Sequence, residues 1–212
     1  MQAALVNAPE RRSLARVSAY SDEREAAVKI PVILGLAAVG LGLHAQTIRV
    51  YVQDSVGVCP ADLKRATSKA AALLAPAGVC IAWRHGGPKS GDPDSLRPIL
   101  VHIVSDIPEG HNLEALAFAQ AFEGVHITVL YNRVLKTGPP HVVLGYVLAH
   151  EITHLLEGIS RHSATGVMKA HWGRVEYYAM RRGTLVLSNE DIHLIRLGME
   201  ARELQPLIAV AR

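Results

Sequence analysis

The sequence predicts a mixed α/β (α+β) fold, a twisted and mainly parallel sheet with helices packed on it, in one domain over residues 46–212. Three observations predict it. Early in the chain, apolar and β-branched runs enclose a helical stretch in the order strand, helix, strand, strand, and that order implies a right-handed crossover and parallel pairing. Residues 141–157, HVVLGYVLAHEITHLLE, are apolar nearly all the way round, which is the mark of a buried helix. A third periodic segment, from Ser188 onward, supplies a C-terminal helix. No stretch between residues 46 and 212 is long or polar enough to serve as a linker.

The elements follow in order. Residues 47–53, TIRVYVQ, alternate and are β-branched, so they form the first strand. Pro60-Ala61-Asp62 opens a helix whose apolar face is Leu63, Ala66, Ala70, Leu73 and Leu74, and Pro76-Ala77-Gly78 ends it. A second strand covers 79–84, and a turn-rich loop covers 85–95. Residues 99–104, ILVHIV, are continuously apolar and predict a central strand. Residues 106–123 lack simple periodicity, and 125–131 form a further strand. Pro139-Pro140 stops the chain before the long helix. Ser188 caps the last helix with Asp191 as its box partner, and the apolar face there is Ile192, Ile195, Leu197 and Met199, with Leu204 beyond.

Composition excludes several classes of protein. Hydrophobic residues make up 50% and charged residues 19%, too apolar for a disordered chain. The net charge of +3 is dispersed, and no basic stripe with interleaved aromatics points to nucleic acid.

The chemistry lies in His150-Glu151-Ile152-Thr153-His154, an H-E-x-x-H pentad. Such a pentad can occur by chance on a solvated helix, but this one sits in the apolar run. Burying two imidazoles and a carboxylate is costly unless each has a partner. At i and i+4 both histidines project from one helix face and can share one Zn2+ ion, with Glu151 placed to take a proton from a bound water. A hydrolytic zinc site takes three protein ligands and keeps one position open. His162, His171 and Glu176 are the downstream candidates for the third ligand. His162 is the best placed, because Gly158 lets the helix end in a left-handed turn from which the chain can swing back. Of the other histidines, His102 and His126 are expected as sheet residues, His85, His111 and His193 as surface residues, and His141 lies too far along the helix to ligate.

These residues resemble the metzincin clan of zinc peptidases, especially its matrixin-like members. The corresponding positions are His150, Glu151, His154, Gly158, His162-Ser163 and Met168, the last as the methionine of a tight turn beneath the metal. Leu116-Ala117-Phe118-Ala119 looks like the clan's antiparallel edge strand. The resemblance implies a zincin-like fold with an active-site helix and a C-terminal helix, and a metalloendopeptidase acting on peptide or protein substrates. It also implies substrate pairing at Ala117, Phe118 and Ala119. The spacing departs from the clan's H-E-x-x-H-x-x-G-x-x-H: here glycine and histidine stand four and eight residues after His154, so the loop is two residues longer. Phe118 stands where matrixins often carry a histidine for a second zinc, and the acidic calcium-binding run after it is absent, so one ion is expected. In a gluzincin-type site Glu176 would replace His162. A catalytically silent zinc protein is the competing reading, although a purely structural site has no need of Glu151.

Residues 30–43, IPVILGLAAVGLGL, are the most apolar run, shorter than the roughly 20 residues of a membrane span. With Lys29 ahead and Ala45 behind, they read as a secretory signal peptide. The 27 residues before Val28 make an unusually long lead-in, so translation starting at Val28 is hypothesised, giving the signal VKIPVILGLAAVGLGLHA. A secreted or periplasmic monomer follows, with membrane contact only if the run is retained as an anchor. In an oxidising compartment Cys59 and Cys80 would form a disulfide, worth about 3 kcal/mol in the chain-entropy model.

Overall fold

A computed structural model describes residues 46–88, 97–106, 115–121 and 123–210. The signal-peptide reading of 1–45, His111, and much of the loop expected at 85–95 lie outside the described residues. Five strands form one sheet: β1 (Gln46–Asp54), β2 (Val79–His85), β3 (Ile99–Val104), β4 (Ala117–Ala119) and β5 (His126–Leu130), in the order β2-β1-β3-β5-β4. All neighbours run parallel except β4 on β5. This is the expected α/β sheet with an antiparallel edge, and β3 is its middle strand. Its burial nevertheless alternates: Ile99, Val101 and Ile103 are fully buried, while Leu100, His102 and Val104 are half-buried. One face of the sheet is thus the more deeply covered.

Helix α1 (Pro60–Leu74) connects β1 to β2, and its five expected apolar positions are its five buried ones. It packs on α3 (Pro140–Glu157), which is buried from Val143 to Leu156. Small residues allow the close crossing: a Cβ on Gly145 would meet Lys69 Cβ at 2.8 Å and the Ala66 carbonyl oxygen at 3.0 Å. Helix α5 (Asn189–Val210) closes on the other end of α3, where a Cβ on Gly198 would lie 1.7 Å from the Leu156 carbonyl oxygen. Arg202 secures this junction by donating to the carbonyls of Leu155 and Gly124, each at 3.2 Å, and of Arg97 at 2.8 Å. At the start of α5, the Ser188 hydroxyl accepts from the Asp191 N–H at 3.1 Å, and the Asp191 carboxylate accepts from the Ser188 N–H at 2.9 Å. That is the expected capping box.

Three expectations need correction. Cys59 and Cys80 are both free and exposed. Cys59 precedes the first turn of α1 and Cys80 follows its far end, so a helix of 15 residues, about 22 Å long, lies between them. A disulfide needs Cα atoms within about 7 Å. Leu197 is 47% exposed rather than on the buried face of α5, because Gly198, Ile195 and Met199 turn that arc toward α3. Two helices also went unforeseen: α2 (Tyr131–Thr137), which takes Tyr131 from the expected strand, and α4 (Arg174–Arg182). Helix α4 has only nine residues and fully buries only Met180, with Tyr177 and Ala179 half-buried, so its apolar face is too short for a periodicity argument to find.

Gly198→Ala should destabilise the fold by about 1–3 kcal/mol through overpacking, whereas Leu197→Ala next to it should change stability by no more than about 0.5 kcal/mol. Equilibrium denaturation measures both, and equal effects would contradict the packing described.

Candidate metal centre

Helix α3 carries His150, Glu151 and His154 on one face, and all three are less than a tenth exposed. The ring of His150 points its Nδ1 at the Val167 carbonyl, 2.8 Å away, and that of His154 points its Nδ1 at the Ile159 carbonyl, 3.4 Å away. A carbonyl oxygen only accepts, so each Nδ1 carries its ring's proton and each Nε2 is left with a lone pair. The two Nε2 atoms face each other at 3.1 Å. His162 completes the group: ligand nitrogens of His150, His154 and His162 all lie within 4.8 Å of one another. Burial pushes the pKa of His150 and His154 down to about 4, and charge on His162 would lower both further. His162, although exposed, is also lowered, first by desolvation and then by His171 and Arg161.

Lone pairs confronting one another in a buried place repel unless a cation sits between them. A proton is disfavoured there, because burial keeps both rings neutral well below pH 6. Three neutral imidazole donors that converge in this way fit one zinc ion with a fourth position open.

The local chain explains how His162 arrives. Gly158 (φ 68°) caps α3 and donates to the His154 carbonyl at 3.0 Å. In the loop that follows, Ile159 offers its carbonyl to His154, and Arg161 reaches Asp191 at 2.7 Å. Ser163, next to His162, donates its hydroxyl to Asp191 and its N–H to the Met168 carbonyl at 2.8 Å. Burial alone would raise the pKa of Asp191, but hydrogen bonds from Ser163 and Ser188 and the charge of Arg161 hold it below the usual carboxylate range. Met168 is fully buried, in a turn that begins at Gly166. There φ is +80° and a Cβ would lie 2.6 Å from the Val186 carbonyl oxygen, so a larger residue would be strained.

Glu176, the other candidate ligand, is engaged elsewhere. Its two oxygens accept from Lys169 Nζ at 2.6 Å and from the Gly173 N–H at 2.7 Å. His171 lies on the wall of the cleft rather than in the histidine group.

The histidines open onto a cleft of about 670 Å³, lined also by the 115–119 segment, Trp172 and Tyr177. The Leu130 N–H donates to the Leu116 carbonyl, and the Gln120 N–H to the His126 carbonyl. Antiparallel alternation therefore turns the backbone groups of Ala117 and Ala119 to the open edge, while Phe118 pairs with Thr128. On that edge Glu151 accepts a backbone hydrogen bond from Ala119. Burial raises the Glu151 pKa to about 8, only partly offset by that bond. Sequence reasoning missed the Val167 and Ile159 carbonyls, the Trp172 ring 5.4 Å from His150, and Tyr177. None of these carries a motif, and backbone acceptors leave no mark in side-chain identity.

No protein-family model matches this sequence, and no curated protein matches it. Among solved structures the chain resembles an archaemetzincin from Methanopyrus kandleri, at 15% identity and a TM-score of 0.49 over 76% of this chain and 99% of that one. It also resembles a zinc-dependent peptidase from Methanocorpusculum labreanum, at 14% identity and a TM-score of 0.49 over 69% of this chain and 99% of that one. Likenesses this distant carry no part of the functional reading, which stands on the geometry of the site.

Beside the centre, the Glu157 side chain is 1% exposed; both its oxygens lack a hydrogen-bond partner, with the Arg161 guanidinium 3.8 Å away. Burial raises its pKa to about 7. A folded-state pKa above the unfolded value means that stability is full below about pH 4.5 and is lost as pH rises through 7. Glu157→Gln should therefore gain stability over the wild type across that window, by up to roughly 3 kcal/mol, with no further gain at higher pH. Thermal melts of the pair from pH 4 to 9 check the sign. A constant difference would contradict it.

Proposed function

We propose that this chain is a zinc-dependent endopeptidase of the metzincin type, with a matrixin-like order of motifs and one zinc ion held by His150, His154 and His162. The observation that carries the reading is the pair of confronted Nε2 lone pairs, 3.1 Å apart in a buried site with a third imidazole beside them. Zinc held by three imidazoles supplies Lewis acidity, lowering the pKa of a water to about 7 and polarising a carbonyl.

The chain's own residues supply the rest. Glu151 is one residue from His150 and buried, with the Ala119 N–H as its backbone donor. A buried carboxylate beside a bound cation, whose charge favours its ionised form, is suited to accept the proton of an attacking water and to return it to the departing amine. The open edge of β4 offers the carbonyls of Ala117 and Ala119 to an extended peptide, which would lie along the cleft as an added strand. Trp172 and Tyr177, which also line the cleft, would pack against the bound peptide. Export rests on the signal-like run at 28–45, so the site of action is periplasmic or extracellular, and the protein acts as a monomer.

Metal analysis should find one zinc per chain in the wild type and in Glu176→Ala, and a loss of zinc in His162→Ala. The opposite pattern would assign the third ligand to Glu176. Glu151→Gln should keep its zinc while turnover of a peptide mixture falls by about 10²–10⁴-fold, the usual contribution of a general base. Undiminished turnover would remove Glu151 from that role, and zinc binding without any cleavage by the wild type would identify a catalytically silent zinc protein.

A further inference from the structure

A second cavity of about 240 Å³ adjoins the cleft between the start of α3 and α4. Its apolar lining includes Val142, Val143 and Met180, and two arginines of α4, Arg174 and Arg181, also line it. Tyr177 lines both this cavity and the cleft, so the two spaces share one wall. Val143 precedes His150 by seven residues on the same helix, about 10 Å along its axis. An extended peptide covers that distance in about three residues.

We propose that this cavity reads a carboxylate on the substrate, a deepening that rests on the peptidase reading: the preferred peptides bear an acidic group within about three residues of the scissile bond. The charges around it favour this. Neither Arg174 nor Arg181 has an ion pair among the described residues. The one carboxylate on α4, Glu176, has its oxygens committed to Lys169 and Gly173. Arg182 turns instead to the Tyr178 ring, 5.8 Å from its centroid. A guanidinium beside an apolar lining accepts a planar carboxylate in a forked, charge-assisted pair, while the lining takes the methylene stem. Two sources present that chemistry, a glutamate side chain and the carboxylate at a peptide's C-terminus. Both arginines are exposed, so solvent screens the attraction, and the preference should be about tenfold rather than absolute.

The test uses zinc-loaded Glu151→Gln protein, in which slowed turnover leaves bound peptides intact over the measurement. Fluorescence anisotropy would measure binding of labelled peptides that differ only by Glu or Gln at each position, each with a free or amidated C-terminus. The account predicts about tenfold tighter binding of one acidic form. Loss of the preference on amidation identifies the C-terminal carboxylate as its source, and persistence identifies the side chain. In Arg174→Gln/Arg181→Gln the ratio of acidic to neutral binding should collapse to about one, and in Arg181→Glu a lysine peptide should replace the glutamate peptide as the better ligand. Equal binding of acidic and neutral peptides by the parent protein, or a preference that survives the double substitution, would overturn the inference. Cleavage of the same peptides by the wild type is scored separately: its absence would count against the peptidase reading, while the binding ratios still decide this one.

Discussion

Two imidazole nitrogens held 3.1 Å apart with their lone pairs facing set the terms for the rest of this structure. Each ring could relieve the conflict by moving its proton to Nε2, but the carbonyls of Val167 and Ile159 hold both protons on Nδ1. Burial removes the second escape, protonation of either ring. What remains is a shared cation, and the converging His162 defines a site with three donors.

The surrounding architecture maintains that geometry. Helix α3 is clamped at one end by α1, which Gly145 allows to approach, and at the other by α5, which Gly198 admits. The turn at Gly166 brings the Val167 carbonyl to His150 and the Met168 carbonyl to Ser163. Asp191 ties the loop carrying His162 to the first turn of α5 through Arg161 and Ser163. The capping box of the last helix and the third histidine thus depend on the same carboxylate. The C-terminal helix contributes to the site without supplying a ligand.

Much of this was legible in the sequence, for identifiable reasons. Strands β1, β2, β3 and β5, helix α1 with its five buried positions, and the cap at Ser188 all follow from periodicity and turn chemistry. The convergence of His150 and His154 follows from helical spacing alone. That His162 joins them was suggested by the order of motifs, and the contacts of Ile159 and Arg161 hold the loop that carries it. The failures have physical causes too. Helix α4 has only nine residues and fully buries one methionine, so its apolar face was too short to announce it. The pairing of Cys59 with Cys80 was inferred from number and compartment, but separation in space is set by the length of α1. The acceptors that orient the histidines are backbone carbonyls, brought near by the tertiary fold.

The most direct test is nitrogen NMR of the histidine rings in the zinc-loaded protein. The account predicts that His150 and His154 each keep a proton on Nδ1, that Nε2 of each shows the shift caused by a bound metal, and that His162 contributes one metal-shifted nitrogen. A protonated Nε2 on His150 or His154, or a His162 ring unaffected by zinc, would contradict it.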